Sequence, residues 1–522
     1  MIDKGNFKVL LVYPNLSMML TPSCAVGIFT RILKKSGYSV TLFDCTPYNS
    51  NLDCLGEPHP VSRAKILLNS RSFNSNALFG APKTDLKADF ANHIDYFKPH
   101  AVIFSTLVED TWSQFKELLQ VIKLYPEISH IVGGVLAIMA PQLVIDHPHI
   151  QCIGTGEGEE VVQDFCEAVR SGVHRPTDIG GTWAKTKDGQ IVKNKVRPLV
   201  NINSYLPDYS LFDERRFLRP LGKKVWKAIP IETYRGCPYT CTFCNSPVRN
   251  VIAKESGQGN YLRRKSVETL RNEIATMVND YSCELIYITD DAFMARPRKE
   301  IFAAAKMLEE FSLPFWFQTR FEDITKPTLE ALKEAGCYRI SFGLEHGNEK
   351  FRQEKLFRNI SNEQIIKKSR IVEEVGIPYT INIIIGMPYE TRDLVFETVD
   401  LLRTINSFDS LTVASFVPYH GTVLREKAVQ EGWLDPSLPT NSYISNTIVD
   451  MPSPPYLDSS ETLGLLKTIP LYSRFPKSRY SDIRRAELEK DPDGPFIKVL
   501  REEWYELTYG MDEKDRNLTY QG

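Results

Sequence analysis

Long apolar runs are missing from this sequence. The longest, Ile131 to Pro141 (IVGGVLAIMAP), falls well short of the roughly 20 residues that a helix needs to span a bilayer. A surplus of one charge is missing too. Lys and Arg number 63 against 65 Asp and Glu, for a formal net charge of -2, and no basic run is long enough to track a phosphate backbone. Nucleic acid is therefore not an expected partner. Cysteine is too sparse to staple a fold: of ten in 522 residues, Cys24, Cys45, Cys54, Cys152, Cys166, Cys283 and Cys337 stand alone and read as small buried apolar side chains. The opening MIDKGNFKVLLVYP carries an acid early and enters a strand pattern at once, so it does not read as a secretory signal. Internal repeats and low-complexity tracts are absent as well. A soluble, cytoplasmic protein of about three domains is the expectation.

What is present is an alternation of strands and helices. Lys8–Tyr13, Ser39–Asp44, Ala101–Ser105, His130–Val132 and Gln151–Ile153 read as buried strands. Helical patterns over Ala25–Ser36, Thr111–Leu124 and Glu159–Ser171 separate them, so residues 1–175 are expected to form a doubly wound parallel sheet. Residues 176–227 read as a linker carrying a hairpin with its turn at Asp188-Gly189. From 228 to 432 six strand patterns recur: Pro230–Thr233, Glu284–Thr289, Pro314–Thr319, Tyr338–Phe342, Tyr379–Ile385 and Leu411–Phe416. Amphipathic helices lie between them, which predicts a partial (β/α)6 barrel with its site at the carboxyl ends of the strands. Residues 433–522 are richer in proline and charge and are expected to be mainly helical, closing over the barrel mouth and helping to select the substrate. There Trp504, Tyr505 and Tyr509 suit packing and binding equally.

The remaining three cysteines, Cys237, Cys241 and Cys244, form a C-x3-C-x2-C cluster just after the first barrel strand. A fourth ligand from elsewhere would complete a structural zinc site. Three thiolates alone suit three corners of a cuboidal cluster whose fourth iron stays open. The stretch Arg235-Gly-Cys-Pro-Tyr-Thr-Cys-Thr-Phe-Cys-Asn245 resembles the cluster loop of radical SAM enzymes. That resemblance implies a [4Fe-4S] cluster on the three cysteines, with S-adenosylmethionine (SAM) on the open iron, and it puts Tyr239 and Phe243 on the SAM side. The resemblance continues through Thr289-Asp290-Asp291, Phe317-Gln318-Thr319-Arg320, Gly343-Leu344-Glu345-His346-Gly347, Gly386-Met387-Pro388-Tyr389-Glu390 and Pro418-Tyr419-His420-Gly421-Thr422. It implies SAM-side roles for Asp290, Gln318, Arg320, Glu345, Gly386 and Pro418. His346 stands where serine is usual and His420 where proline is. Plainer readings remain: Asp290 as a helix cap, Arg320 as an ion-pair partner, and both histidines as site-lining or hydrogen-bonded core groups.

In the N-terminal part, Gly154-Thr-Gly156-Glu157-Gly158-Glu159 is a poor dinucleotide fingerprint, because Glu159 stands where the third glycine belongs. The order of turns is similar instead to the cobalamin-binding domain preceding the barrel in one large radical SAM class. This implies a corrin met by Asn15, Leu16, Ser105, Thr106, Gly133, Gly134, Gly154, Gly156, Glu157, Gly158 and Glu159. No D-x-H-x-x-G motif occurs and the loop from Asn15 to Ala25 holds no histidine, so cobalamin is expected base-off, with Met18 and Met19 as apolar neighbours. A degenerate domain that has lost the corrin is the alternative. The resemblance implies a cobalamin-dependent methyltransferase that reduces SAM at the cluster to a 5′-deoxyadenosyl radical. The methyl group of methylcobalamin would pass to an unactivated carbon of a small-molecule, lipid or natural-product substrate, with flavodoxin or ferredoxin as electron donor. Ring closure, ring contraction or oxidation without methyl transfer is the second reading. RNA methylthiolation is disfavoured, since neither its extra cysteine domain nor a basic RNA module is present. A non-catalytic cobalamin protein is opposed by the cysteine triad.

Overall fold

The computed structural model describes residues 1–16, 21–48, 75–105, 108–222, 224–440, 446–489 and 494–510. Thr106, Met18 and Met19 lie outside them. The described residues fall into two compact units. The first draws on Met1–Pro58, Phe79–Leu218 and Val248–Thr269, and the second on His59–Leu78, Arg219–Pro247 and Leu270–Gly522.

Apolar runs buried on both faces build the first unit. Its strands are β1 (Lys8–Tyr13), β2 (Ser39–Asp44), β3 (Ala101–Phe104), β4 (Ser129–Val132), β5 (Cys152–Gly154), β6 (Thr182–Lys185) and β7 (Ile191–Lys193), in the order β2-β1-β3-β4-β5-β6-β7. The first five are parallel. Chain order reverses between β1 and β3, the switch point beside which open α/β sheets bind ligands. Helix α1 (Cys24–Lys35) is capped by Ser23, whose hydroxyl accepts from the Val26 amide at 3.3 Å. It packs near α2 (Glu159–Arg170), where a Cβ on Gly158 would come within 2.6 Å of the Phe29 ring.

The hairpin forms with its turn at Gly189, in a left-handed conformation. The expected linker over 176–227, however, is no spacer. β6 pairs antiparallel with β5 and β7 with β6, extending the sheet through Cys152↔Ala184 and Trp183↔Lys193. The edge of β5 would otherwise present unpaired backbone groups, and the hairpin satisfies them. Residues from Arg219 to Pro247 belong to the second unit, whose first long strand begins at Lys224.

The second unit holds β8 (Leu218–Leu221), β9 (Lys224–Ile231), β10 (Leu285–Ile288), β11 (Phe315–Thr319), β12 (Cys337–Glu345), β13 (Tyr379–Ile385) and β14 (Ser410–Ser415), ordered β14-β13-β12-β11-β10-β9-β8. Strands β9 to β14 are parallel neighbours in chain order, and β14 and β8 are open edges, so the sheet is a curled half-barrel. Burial alternates along the strands. Phe315 and Phe317 are buried while Trp316 and Gln318 between them are half-buried on the opposite face.

The C-terminal region is helical, as expected: α3 (Ser459–Arg474), α4 (Tyr480–Leu488) and α5 (Pro495–Tyr509). Trp504 and Tyr505 are buried, with Trp504 donating to the Pro470 carbonyl at 3.2 Å, so both pack rather than form a surface. The segment before α3 lies against the turn after β13. Leu457 donates to the Glu390 carbonyl at 3.0 Å, and a Cβ on Gly386 would meet Thr462 at 2.9 Å and Thr447 at 3.2 Å. None of the described helices is long and apolar enough to cross a membrane.

Candidate active site

The carboxyl ends of β9 to β13 converge on the loop that carries the three cysteines. That loop leaves β9 through Gly236, which is in a left-handed conformation (φ 98°), and it is latched at its start by Asp290. Asp290 follows β10 and is buried. Its carboxylate accepts from the backbone of Thr233 at 2.7 Å and of Tyr234 at 3.0 Å, from the Thr233 hydroxyl, and from Arg296 at 2.5 Å. Both oxygens are thereby engaged, so Asp290 ties the start of the loop to the end of β10. Farther along, Ser246 donates its hydroxyl to Asp291 at 2.6 Å, and its amide points at Cys244 Sγ at 3.4 Å. Thr242 donates to the carbonyls of Leu356 and Lys355.

Burial pushes the thiols of Cys237 and Cys244 up to about 12 and raises that of Cys241. Cys241 has a cation in contact, with Arg320 Nη1 3.5 Å from its sulfur. Arg320 also stacks over the Tyr239 ring, 3.5 Å from its centre, and pairs with Glu322. Burial alone would raise Glu322, but Arg358 and Arg320 hold its carboxyl below the usual range. Arg358 in turn pairs with Glu345 at 2.9 Å. Glu345 ends β12 in a left-handed conformation (φ 66°), its carboxylate folded back over Gly343, where a Cβ would overlap it.

His346 is a core group. Its Nδ1 accepts from the Asn348 amide at 3.0 Å, which leaves the proton on Nε2, 3.1 Å from Glu390 Oε1. The other Glu390 oxygen accepts from the amides of Gly386 and Met387. His346 thus ties the end of β12 to the turn after β13. His420 and Phe243 are half-buried, while Pro418 is buried with its carbonyl accepting from Arg425 at 2.7 Å. Gln318 donates to the Tyr287 hydroxyl at 3.2 Å beside a Tyr287–Trp316 stack with centroids 4.4 Å apart. Sequence motifs did not single out Arg296, Glu322, Arg358, Tyr287 or Trp316. The period-two alternation over Phe315–Thr319 carries the signal for Trp316 alone.

Donor chemistry gives a test of fit. Among the described residues no three His, Cys, Asp or Glu side chains converge on one metal ion. Three thiols spread along one loop, with an amide N–H and a guanidinium directed at sulfur, suit an anionic multi-iron cluster better than a single zinc.

The expected corrin residues divide in the first unit. At Gly133 and Gly154, ending β4 and β5, a Cβ would point into open space, and Gly134 has φ 135°. These positions fit a large flat ligand lying against the backbone. Elsewhere the structure gives a different reason for the residue. Gly158 makes room for Phe29, and Gly156 faces Gln258 at 3.4 Å. Glu157 pairs with Arg263 and accepts from the Val200 amide at 2.9 Å. Asn15 is locked by Gln114 and Thr46, Leu16 and Glu159 are buried, and Ser105 donates its amide to the Val12 carbonyl.

Comparison with known proteins agrees with this geometry. Residues 231–402 match the Radical SAM superfamily. An uncharacterized methyltransferase of Pyrococcus horikoshii is 25% identical over 359 residues, 66% of this chain and 73% of its own. The anaerobic magnesium-protoporphyrin IX monomethyl ester cyclase of Rubrivivax gelatinosus is 24% identical, covering 65% and 60%. The cytidylyl-2-hydroxyethylphosphonate methyltransferase of Streptomyces wedmorensis is 22% identical, covering 82% and 83%. In fold, the chain is similar to the radical S-adenosylmethionine methyltransferase TsrM from Kitasatospora setae, with TM-score 0.57, 18% identity, and 82% and 77% of the two chains covered. It is also similar to the cobalamin-dependent S-adenosylmethionine radical enzyme OxsB, with TM-score 0.60, 16% identity, and 97% and 76% covered. With its cysteine triad at the mouth of a half-barrel, the chain carries a radical SAM domain over residues 231–402 and has the fold of cobalamin-dependent radical SAM enzymes.

Proposed function

We propose that this enzyme is a cobalamin-dependent methyltransferase acting on an unactivated carbon of a small molecule, lipid or natural product. The observation that carries the reading is the pairing of a three-thiol loop in one unit with open-backed glycines at the carboxyl ends of two parallel strands, β4 and β5, in the other. Cys237, Cys241 and Cys244 would hold a [4Fe-4S] cluster, while Gly133, Gly134 and Gly154 would back the corrin. When bound, the cluster with SAM supplies a carbon-centred radical and cobalamin supplies a methyl group. The chain's own task is to hold the thiols in register through the Asp290 latch, to orient the cofactor amine and carboxylate with strand-end polar groups, and to keep water out. Support for a corrin without a histidine below it comes from the strand geometry. His100, His130 and His149 precede or begin strands, so they lie at the amino edge, away from the glycine turns. The electron would come from a small redox protein such as flavodoxin or ferredoxin.

A second reading, ring formation or oxidation without methyl transfer, has one specific support, the similarity to a ring-forming cyclase over about two thirds of the chain. One experiment separates the two. Anaerobically reconstituted protein is given hydroxocobalamin, SAM and a strong reductant, and the corrin and nucleoside products are identified by mass spectrometry. Methylcobalamin with S-adenosylhomocysteine is the result expected. Deoxyadenosine beside unmethylated cobalamin would favour the second reading, and protein that retains no corrin would overturn both.

A further inference from the structure

Arg320 ends the third parallel strand of the half-barrel and is 8% exposed, a costly place for a cation unless its charge is used. Three groups use it. The guanidinium lies flat on Tyr239, whose hydroxyl is fixed by Asp323. Its Nε lies 3.2 Å from Glu322, and its Nη1 points at Cys241 Sγ from 3.5 Å. Beyond Glu322 the sequence of charges continues through Arg358, 3.4 Å away, to Glu345. A thiol, a cation, an anion, a second cation and a second anion thus follow one another from the cysteine loop to the end of β12. The other two cysteines have the acid Asp291 as a negative neighbour. The Arg320 charge also reaches Cys237, and Glu345 and Glu322 act on Cys241, but it is the Cys241 sulfur that the guanidinium contacts.

Adding an electron to a thiolate-bound cluster adds negative charge, and charges beyond the ligands shift its potential through hydrogen bonds to sulfur and through the local field. In a site with effective dielectric well below that of water, a cation one contact from a ligand sulfur favours the reduced form, and an anion next to that cation offsets it. Resting on the cluster assignment above, we propose that Arg320 is a positioning residue for the iron–sulfur cluster. Its guanidinium serves the Cys241 sulfur, and the division of its charge with Glu322 sets how readily the cluster accepts an electron. Tyr239 and Asp323 are the clamp that keeps the guanidinium plane against the sulfur.

Opposite charges must then act in opposite directions. The reconstituted full-length protein, its Arg320→Gln and Glu322→Gln variants and the conservative Arg320→Lys variant are titrated with dithionite in the presence of mediators. The reduced cluster is read by electron paramagnetic resonance, with iron and sulfide counted for each. Arg320→Gln is expected to lower the midpoint, by about tenfold in the reduction equilibrium, or about 59 mV for one electron. Glu322→Gln is expected to raise it, and Arg320→Lys to fall between wild type and Arg320→Gln. Loss of packing alone cannot give shifts of opposite sign. Equal midpoints in all four proteins, or shifts of one sign in both Gln variants, would overturn the inference. If Arg320→Gln fails to load iron, the sign in Glu322→Gln decides alone, a rise supporting the inference and no change overturning it. A wild-type chain that takes up no four-iron cluster would instead overturn the cluster assignment itself.

Discussion

Among single residues, the cysteines were the easiest to read and Asp290 among the hardest. The triad announces itself because three thiols within a span of eight residues have few other uses in a chain whose described cysteines are all free. Replacing Cys237, Cys241 or Cys244 with Ala should abolish bound iron and deoxyadenosine formation. The thermal midpoint of the iron-free protein should change little, because each thiol is only partly buried and makes no packing core. Retained SAM cleavage in any of the three would contradict the assignment. Asp290 matched a motif, but its partner Arg296 comes after a turn that no pattern fixes, so its latching role appears only in three dimensions. Asp290→Ala leaves that guanidinium buried and unpaired, and the expected loss is about 3–5 kcal/mol. Chemical denaturation measures it, with a fall in iron bound per chain as the second readout. His346 was open in sequence for the same reason: Glu390, which it meets, lies 44 positions away.

Among elements, strand and helix boundaries were legible because strands buried on both faces are continuous apolar runs and helices keep their amphipathic period. Tyr379–Ile385 was placed to the residue. The hairpin was also legible, from its turn, but its membership in the N-terminal sheet was not, because pairing with β5 is a long-range choice that local pattern does not encode. Glycines divide along the same line. Gly158 belongs to the expected ligand turn and also has a packing reason to be glycine, the close approach of Phe29, whereas Gly133 faces open space. Gly158→Ala should therefore destabilise by about 1–3 kcal/mol through overpacking, and Phe29→Ala should relieve part of that cost in a double-mutant cycle. Gly133→Ala should leave the denaturation midpoint nearly unchanged while reducing the corrin retained after gel filtration. Equal effects of the two substitutions on stability would remove the distinction.

For the whole molecule, acid is the expected weakness. Burial lowers the imidazole of His130 from 6.5 to about 4, and that of the more exposed His147 similarly. Between those values the unfolded chain binds a proton that the folded one refuses, so stability should fall as pH drops from about 6.5 toward about 4 and stay level above it. Thermal unfolding across that window checks this, and His130→Gln should show a shallower slope. The sequence suggested about three domains, whereas the structure gathers its described residues into two compact units, because the hairpin, the strip from 248 to 269 and the C-terminal helices each join a neighbour. Such joining depends on contacts between distant positions and leaves no compositional mark.

Besides the crossings at either end of His59–Leu78, unit membership changes hands after Leu218, after Pro247 and again after Thr269. The strip in between brings Arg263 to Glu157 and Gln258 to the Arg197 carbonyl. The two units are therefore laced rather than strung, and a protease that nicks any one of these crossings leaves them joined by the others. A gene trimmed at residue 218 would make a first unit stripped of its own Arg263, leaving Glu157 without that guanidinium. Evolution, or an engineer, could exchange the first unit of such a chain only by moving the strip from 248 to 269 along with it.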